Sequence, residues 1–269
     1  MERSNARQLP RIESPIDPNL SNIFSAVTTR SWTGRGLTAR FHPAALTPNL
    51  SPILINFHQG IGLDHLDHWL YTWKSLYFPS PSSLADPYIS FLDTNQNLPK
   101  DLHAHLRRRG FRPFLEQTIE IVGNVAKDID LSRFVLDIRQ SFSASIGFEF
   151  YRVMAQCFPK IQRRSVEHWL MTLGSSSAEV HYVAIRHPSQ GAVAVGTINV
   201  SSCHKWAFFT SGCVLPTWRR QGLFRRLIQI RQGLAGSEAT CGFLTSNPDL
   251  RGKGTLSLPY TTWKRSHFR

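Results

Sequence analysis

Apolar positions in the second half of the chain follow two alternating periods. From Phe142 to Phe158 they recur at helical spacing, as Ile146, Phe150, Val153, Met154 and Cys157, which is one face of a helix. Val166 to Leu173 repeats that spacing and stops at Gly174. Three strand-like runs follow, over 179–186, 192–201 and 205–214, with a turn at Pro188 to Gly191 between the first two. Pro216 breaks the third run. A short basic loop, Thr217 to Gly222, then leads into Leu223, Leu227, Ile230 and Leu234, again at steps of three or four. Gly233 and Gly236 are the expected stops of that helix. Cys241 to Thr245 reads as a further strand, a parallel neighbour reached through the helix.

The first half is less regular. Residues 1–35 are rich in proline, serine and asparagine and predict a mobile tail. Ile53 to Phe57 is a strand, Gly60 and Gly62 turn the chain, and Asp64 to Tyr77 reads as a helix with Leu66, Trp69, Leu70 and Trp73 on one side. After a Ser/Pro-rich loop, Tyr88 to Leu92 is a short strand. Pro99 opens a helix, where its missing N–H costs nothing. Gly110 closes that helix, and Phe111 begins a strand through Val122. Asp128 to Arg139 forms a linker or strand. The element order predicts an α+β fold, a twisted mixed sheet flanked by helices with a smaller α/β unit at the N-terminus. The expected divisions are a tail over 1–35, an N-terminal unit over 36–125 and a main domain over 126–269.

Composition narrows the class. The chain has 269 residues, 41% of them hydrophobic, enough for a sizeable core. No apolar run reaches the roughly 18 residues of a membrane helix, so no membrane association is expected. Met1 to Pro18 is polar and does not read as a secretory signal. The four cysteines form no Cys-x-x-Cys pair, the pattern of free thiols in a reducing, cytoplasmic setting. A net charge of +13 fits either nucleic-acid phosphates or steering of an anionic cofactor. The chain has no known nucleic-acid motif, so nucleic acid is the less favoured partner. Asp64, His65, Asp67 and His68 share a helix, but the histidines are at i and i+3 rather than the i, i+4 of a zinc pair. No metal is expected, and the acidic residues complement the helix dipole.

The loop before the second-half helix carries the chemistry. A helix start has unpaired N–H groups and the positive dipole end, where a diphosphate can sit. Gly222 lets the backbone approach closely, and Arg219, Arg220 and Arg225 add charge. The run Val214-x-Pro216-x-x-Arg219-x-x-Gly222-x-Phe224 resembles the acetyl-CoA-binding motif of the GNAT acyltransferase family. Phe224 departs from it, because the family usually places Gly or Ala there. The order of elements over 140–269 also resembles GNAT topology.

The resemblance implies transfer of an acetyl group from acetyl-CoA to the amine of an unidentified acceptor. It assigns the pantetheine arm to Gly212, Cys213 and Val214. It assigns the diphosphate to Arg219, Arg220, Gln221, Gly222, Leu223, Phe224 and Arg225, and a further cofactor contact to Asn247. The family's acid is a tyrosine five residues before the phenylalanine of a Gly-Phe strand start. Counting back from Phe268 reaches Trp263, so Tyr260, one helical turn earlier, is the expected acid and transfer is expected to be slow. Glu149 and Glu179 are the available bases, with water as the alternative. A catalytically impaired GNAT-like domain that binds CoA or a protein is the other reading. The segments 105–112 and 262–269 align on their Phe-Arg pairs, so the first half resembles a degenerate GNAT-like unit. Phe268 and Arg269 leave little material for a final strand, and residues 111–122 are expected to supply it.

Overall fold

The computed structural model describes residues 30–34, 37–41, 53–57, 63–64, 66–68, 70, 88–92, 98–122, 131–159, 161–174, 179–245 and 256–265. In chain order the strands are β1 (Arg30–Gly34), β2 (Leu37–Phe41), β3 (Ile53–Phe57), β4 (Tyr88–Leu92), β5 (Phe111–Val122) and β6 (Val135–Arg139). They continue with β7 (Glu179–His187), β8 (Gly191–Val200), β9 (Trp206–Val214), β10 (Thr240–Thr245) and β11 (Leu256–Arg265). The helices are α1 (Leu102–Arg108), α2 (Ala144–Cys157), α3 (Arg163–Gly174) and α4 (Leu223–Ala235), and residues 63–64, 66–68 and 70 are helical between β3 and β4.

Among the described residues, all eleven strands join one sheet in the order β1-β2-β3-β4-β11-β5-β10-β9-β8-β7-β6. Two neighbouring pairs are parallel, β3 with β4 and β9 with β10. The others are antiparallel. Outward from the central β11–β5 pair the pattern mirrors itself. β4 pairs with β11, and β10 pairs with β5. The last strand of each half therefore lies against the parallel pair of the other half. Residues 111–122 do complete the sheet beside β10, as expected from the sequence.

Two expectations change. Residues 30–34, assigned to a tail, pair with β2 as an outer strand. Only Arg35 and Gly36 separate the two ladders, a spacing that suits a glycine-containing hairpin. Residues 256–265 form a strand, not a helix running toward Phe268. Phe268, on which the repeat was aligned, lies outside the described residues, while Phe111 begins β5. β6 lies within Asp128 to Arg139, the stretch read as a linker or strand, and precedes the two helices α2 and α3.

Helices cover both faces of the β7–β9 region. Ser143 caps α2 by accepting from the Ile146 N–H at 3.4 Å, as a short hydroxyl side chain does at an N-cap. Ile146, Phe150, Val153 and Met154 then face the core. From α3, Val166, Trp169, Leu170 and Leu173 are buried beside them. Gly147 brings α2 close to α3, since a Cβ there would stand 3.0 Å from Glu167 Cγ. The Tyr182 hydroxyl donates to Leu170 O at 2.8 Å, and burial pushes its phenol up to about 12. Gly233 lies inside α4, and Gly236 is its stop, with φ of 89°, a left-handed value that favours glycine.

Candidate functional site

β9 and β10 run together only from Trp206–Thr240 to Phe209–Phe243. Beyond that point β10 keeps only its ladder with β5, which runs from Cys241–Val122 to Thr245–Thr118, while β9 continues from Thr210 to Val214 along β8. The β8–β9 register slips between Val195 and Thr197. Ser211 and Gly212 of β9 together stand opposite Gly196 alone, one residue in excess, and Ser211 has φ of 53°. A bulge bends its strand and increases local twist, so β9 splays from β10.

Main-chain alternation sets what the splay presents. Leu215 N donates to Val193 O at 2.9 Å. The preceding pair, Val214 with Ala194, is therefore of the non-hydrogen-bonded kind. The N–H and C=O of Val214 turn away from β8, toward the side β10 has left. Two side chains meet that carbonyl: Cys157 Sγ donates to it at 3.3 Å and Arg219 Nε at 3.4 Å. Cys157 is half-buried and Cys213 buried. Cys213 donates to Cys157, and with the Arg219 guanidinium this brings the Cys157 thiol down to about 6. The Cys213 thiol is held well above its ordinary range, first by that same bond and then by burial.

The loop from Pro216 begins as a 3-10 turn to Trp218. Trp218 packs against His187 at 4.8 Å and edge-on to Phe134 at 5.6 Å between ring centroids. Arg220 and Gly222 have left-handed φ of 63° and 76°, and Gly222 is the N-cap of α4. No side chain caps this helix end, and its first turn has no acidic residue. A Cβ at Gly222 would meet nothing within 4 Å, so the left-handed backbone, not crowding, is what requires glycine there. Arg219, Arg220, Gln221 and Arg225 are exposed around it. First-turn N–H groups without a side-chain cap and four arginines, Arg226 included, are gathered here, a setting that suits an anion.

Phe224 is turned onto the sheet. Its ring meets Phe243 edge-on at 6.2 Å, and its Cε2 lies 3.2 Å from where a Gly212 Cβ would stand. Leu223 is buried beneath the helix start. Arg231, two turns further, is 1% exposed. Its Nη1 donates to Thr197 O and Thr210 O at 3.3 Å each, its Nε to Leu227 O at 3.1 Å, and its guanidinium lies 4.6 Å from the Phe209 ring centroid. Burial lowers it to about 9. Glycines at 196 and 212 leave room for it, since a Cβ on either would approach its guanidinium to within 3.1–3.2 Å. Arg231 thus ties α4 to both strands at the bulge. Its only sequence signal was a charge one turn after Leu227 on an otherwise apolar face.

Other sequence-derived candidates fall elsewhere. Asn247 lies outside the described residues. Tyr260 is on β11, opposite Gln117 of β5 and Leu92 of β4, so the helical count that linked it to Trp263 does not hold. Trp263 is 1% exposed, with its ring 5.2 Å from His103 of α1, and serves as core. Counting five residues back from the start of β11 reaches Arg251, and no tyrosine occurs anywhere in 246–255. Glu149 is ion-paired with Arg186, and Glu179 accepts from Gln140 and His181 at 2.9 Å each. Both carboxylates are engaged away from the splay. Asp67 binds His105 and Arg109, and no group of three or more metal-ligating side chains occurs among the described residues. Gln117 was not anticipated. It is 5% exposed, its Oε1 has no hydrogen-bond partner among the described residues, and it is the first β5 residue past the β10 ladder.

No protein-family model matches the sequence, and no curated protein is similar to it at the sequence level. Solved structures are similar in shape. A GCN5-related N-acetyltransferase from Kribbella flavida superposes with a TM-score of 0.60 at 11% identity, covering 93% of this chain and 95% of that one. The chain has the GNAT fold. A second GNAT structure, a GCN5-related N-acetyltransferase from Sphaerobacter thermophilus, gives a TM-score of 0.52 at 13% identity, over 87% of this chain and 82% of the other. A tandem GNAT protein of the clavulanic acid biosynthesis pathway gives 0.55 at 9% identity, over 87% and 80%. In GNAT terms β9 and β10 are the splayed parallel pair and α4 the helix between them. The mirrored order of the sheet gives β3 and β4 the same relation in the first half. There the intervening helical turns carry Asp64 and Asp67, where α4 begins with no acid.

Proposed function

We propose that the protein is an acyl-CoA-dependent N-acyltransferase that moves an acetyl group from acetyl-CoA to an amine. The divergence of β9 from β10 at the Ser211–Gly212 bulge carries this reading, because it opens directly toward the uncapped, acid-free start of α4. The pantetheine arm would lie along the open side of β9, at Gly212, Cys213 and Val214. Its diphosphate would meet the N–H groups of residues 220–225 and the charges of Arg219, Arg220 and Arg225. Acetyl-CoA acts as a substrate, and no metal has a role. The open β9 edge offers main-chain N–H groups to the developing oxyanion. Tyr260 remains a proton donor by register alone, and Asn247 a further cofactor contact. The four thiols, all free, suit a reducing cytoplasm. The chain would act as two units, 36–125 and 126–269, with the second holding the cofactor.

Binding without transfer is the second reading, and the lack of a tyrosine in 246–255 favours it. One experiment addresses both. Acetyl-CoA should raise the melting temperature, as a ligand selective for the folded state does, and Gly222→Asp should remove that rise. CoA release against a panel of polyamines, amino acids, antibiotics and peptides then separates transfer from binding. An equal rise in the Gly222→Asp protein would refute the site.

A further inference from the structure

Cys157 is the last residue of α2, and its sulfur touches the β9 carbonyl of Val214, which faces the open side of the splay. A structural thiol at a helix end is normally surrounded by apolar side chains. Cys157 packs against the hydrophobic core as well, but a second thiol, a guanidinium and a main-chain carbonyl also stand around its sulfur. It is also half-buried rather than sealed. The carboxylates of Glu149 and Glu179 do not compete for the role of nucleophile at this edge of β9, since both are held elsewhere.

We propose that Cys157 is an acylation site, whose sulfur takes the acyl group from a CoA thioester bound along β9 and so forms an acyl-enzyme. This rests on the reading of the splay as an acyl-CoA site, and deepens it. The thiol leaves its hydrogen bond to Val214 O and gives its proton to solvent, and the thiolate attacks the thioester carbonyl carbon. The carbon–sulfur bond to CoA breaks as the bond to Cys157 forms, and the departing CoA thiolate takes a proton from solvent. Nothing is oxidised or reduced. The surroundings suit the step, since the thiolate is the nucleophilic form of cysteine. Cys213, held protonated by burial and by its neighbour, donates to the Cys157 sulfur, while Arg219 supplies positive charge. The acylated sulfur would then face an amine acceptor, or water.

The full chain incubated with isotope-labelled acetyl-CoA and no amine tests this by peptide mass spectrometry and CoA release. The expected result is a hydroxylamine-labile acetyl group on Cys157, or CoA release that disappears in Cys157→Ser. Exposed Cys203 is the internal control for non-specific acylation, and Cys203→Ser should change nothing. Equal labelling of Cys157 and Cys203 overturns the proposal. So does a melting-temperature rise with acetyl-CoA that comes with neither adduct nor Cys157-dependent release, a result that leaves the cofactor site standing. If no rise occurs at all, the acyl-CoA reading falls and the proposal with it. Because labelling is mapped on the wild-type chain, the outcome is decisive even if Cys157→Ser is unstable.

Discussion

Two thiols, one buried and one half-buried, show how far neighbours outweigh burial. Cys241 is pushed up to about 12 by burial, the expected direction for an acid that must ionise in an apolar setting. Cys157 moves the other way, to about 6, because Cys213 and Arg219 favour its thiolate. Alkylation of Cys157 should therefore rise through about pH 6 and level off near neutrality, where an ordinary thiol is still mostly protonated. Cys213→Ala should move that midpoint upward. A midpoint unchanged in Cys213→Ala would refute the hydrogen bond as the cause. The sign for stability follows. Between the folded value near 6 and the ordinary thiol range, the unfolded chain holds more protons, so this group's contribution grows as pH rises and is lost as pH falls through 6. Arg231 poses the opposite problem, a buried cation held by three main-chain carbonyls and the Phe209 ring. Arg231→Ala would orphan Thr197 O and Thr210 O and leave a void at the bulge, so a loss of about 3 kcal/mol is expected in urea unfolding. An unchanged midpoint would mean that the bulge stands without it.

Elements differed in how openly the sequence announced them. α4 was readable at both ends, since Gly222 and Gly236 occupy left-handed positions and the apolar spacing between them is helical. β7, β8 and β9 were readable because their apolar runs are short and bounded by turn residues. β11 was not, although Leu256, Leu258 and Tyr260 alternate with Ser257, Pro259 and Thr261. Pro259 argued against an inner strand, but it sits just beyond the β4 ladder, which begins at Tyr260–Leu92, so on that side its missing N–H breaks no pair. The phosphate loop was legible because its chemistry is local. Cys157, Arg231 and Gln117 were not, because contacts spanning tens of residues give them their significance. Gln117 lies on a strand the first half lends to the second. Replacing it with leucine would remove an unpaired buried carbonyl, which costs about 1–3 kcal/mol. Gln117→Leu should therefore be more stable to heat while losing acyl transfer, if β5 borders the acceptor. Unchanged transfer in a stabilised variant would place the acceptor elsewhere.

For the whole molecule, the decisive feature is the mirrored sheet. Two units over 36–125 and 126–269 would each lack an inner strand, because β5 pairs with β10 and β11 with β4. Fragments 1–125 and 126–269 expressed apart should each fail to unfold cooperatively, since each exposes unpaired strand edges that favour aggregation. Mixed, they should recover a single transition and the acetyl-CoA response. A cooperative transition in 126–269 alone, seen by circular dichroism, would refute the mutual dependence. The +13 charge belongs to this scale too, since under the proposed function it would draw an anionic cofactor toward the arginines around α4 at a rate that falls with salt.

The exchanged strands also fix an order of events during synthesis. β11 emerges after every other described strand, yet it occupies the middle of the sheet, between β4 and β5. Until it arrives, β4 has no neighbour on its inner side and β5 is paired only with β10. Pairings this distant in sequence are slow to find. The centre of the protein is therefore its last part to close, and a nascent chain stalled before Leu256 would wait with its two most adhesive edges exposed, the stage at which chaperone capture and proteolysis should concentrate.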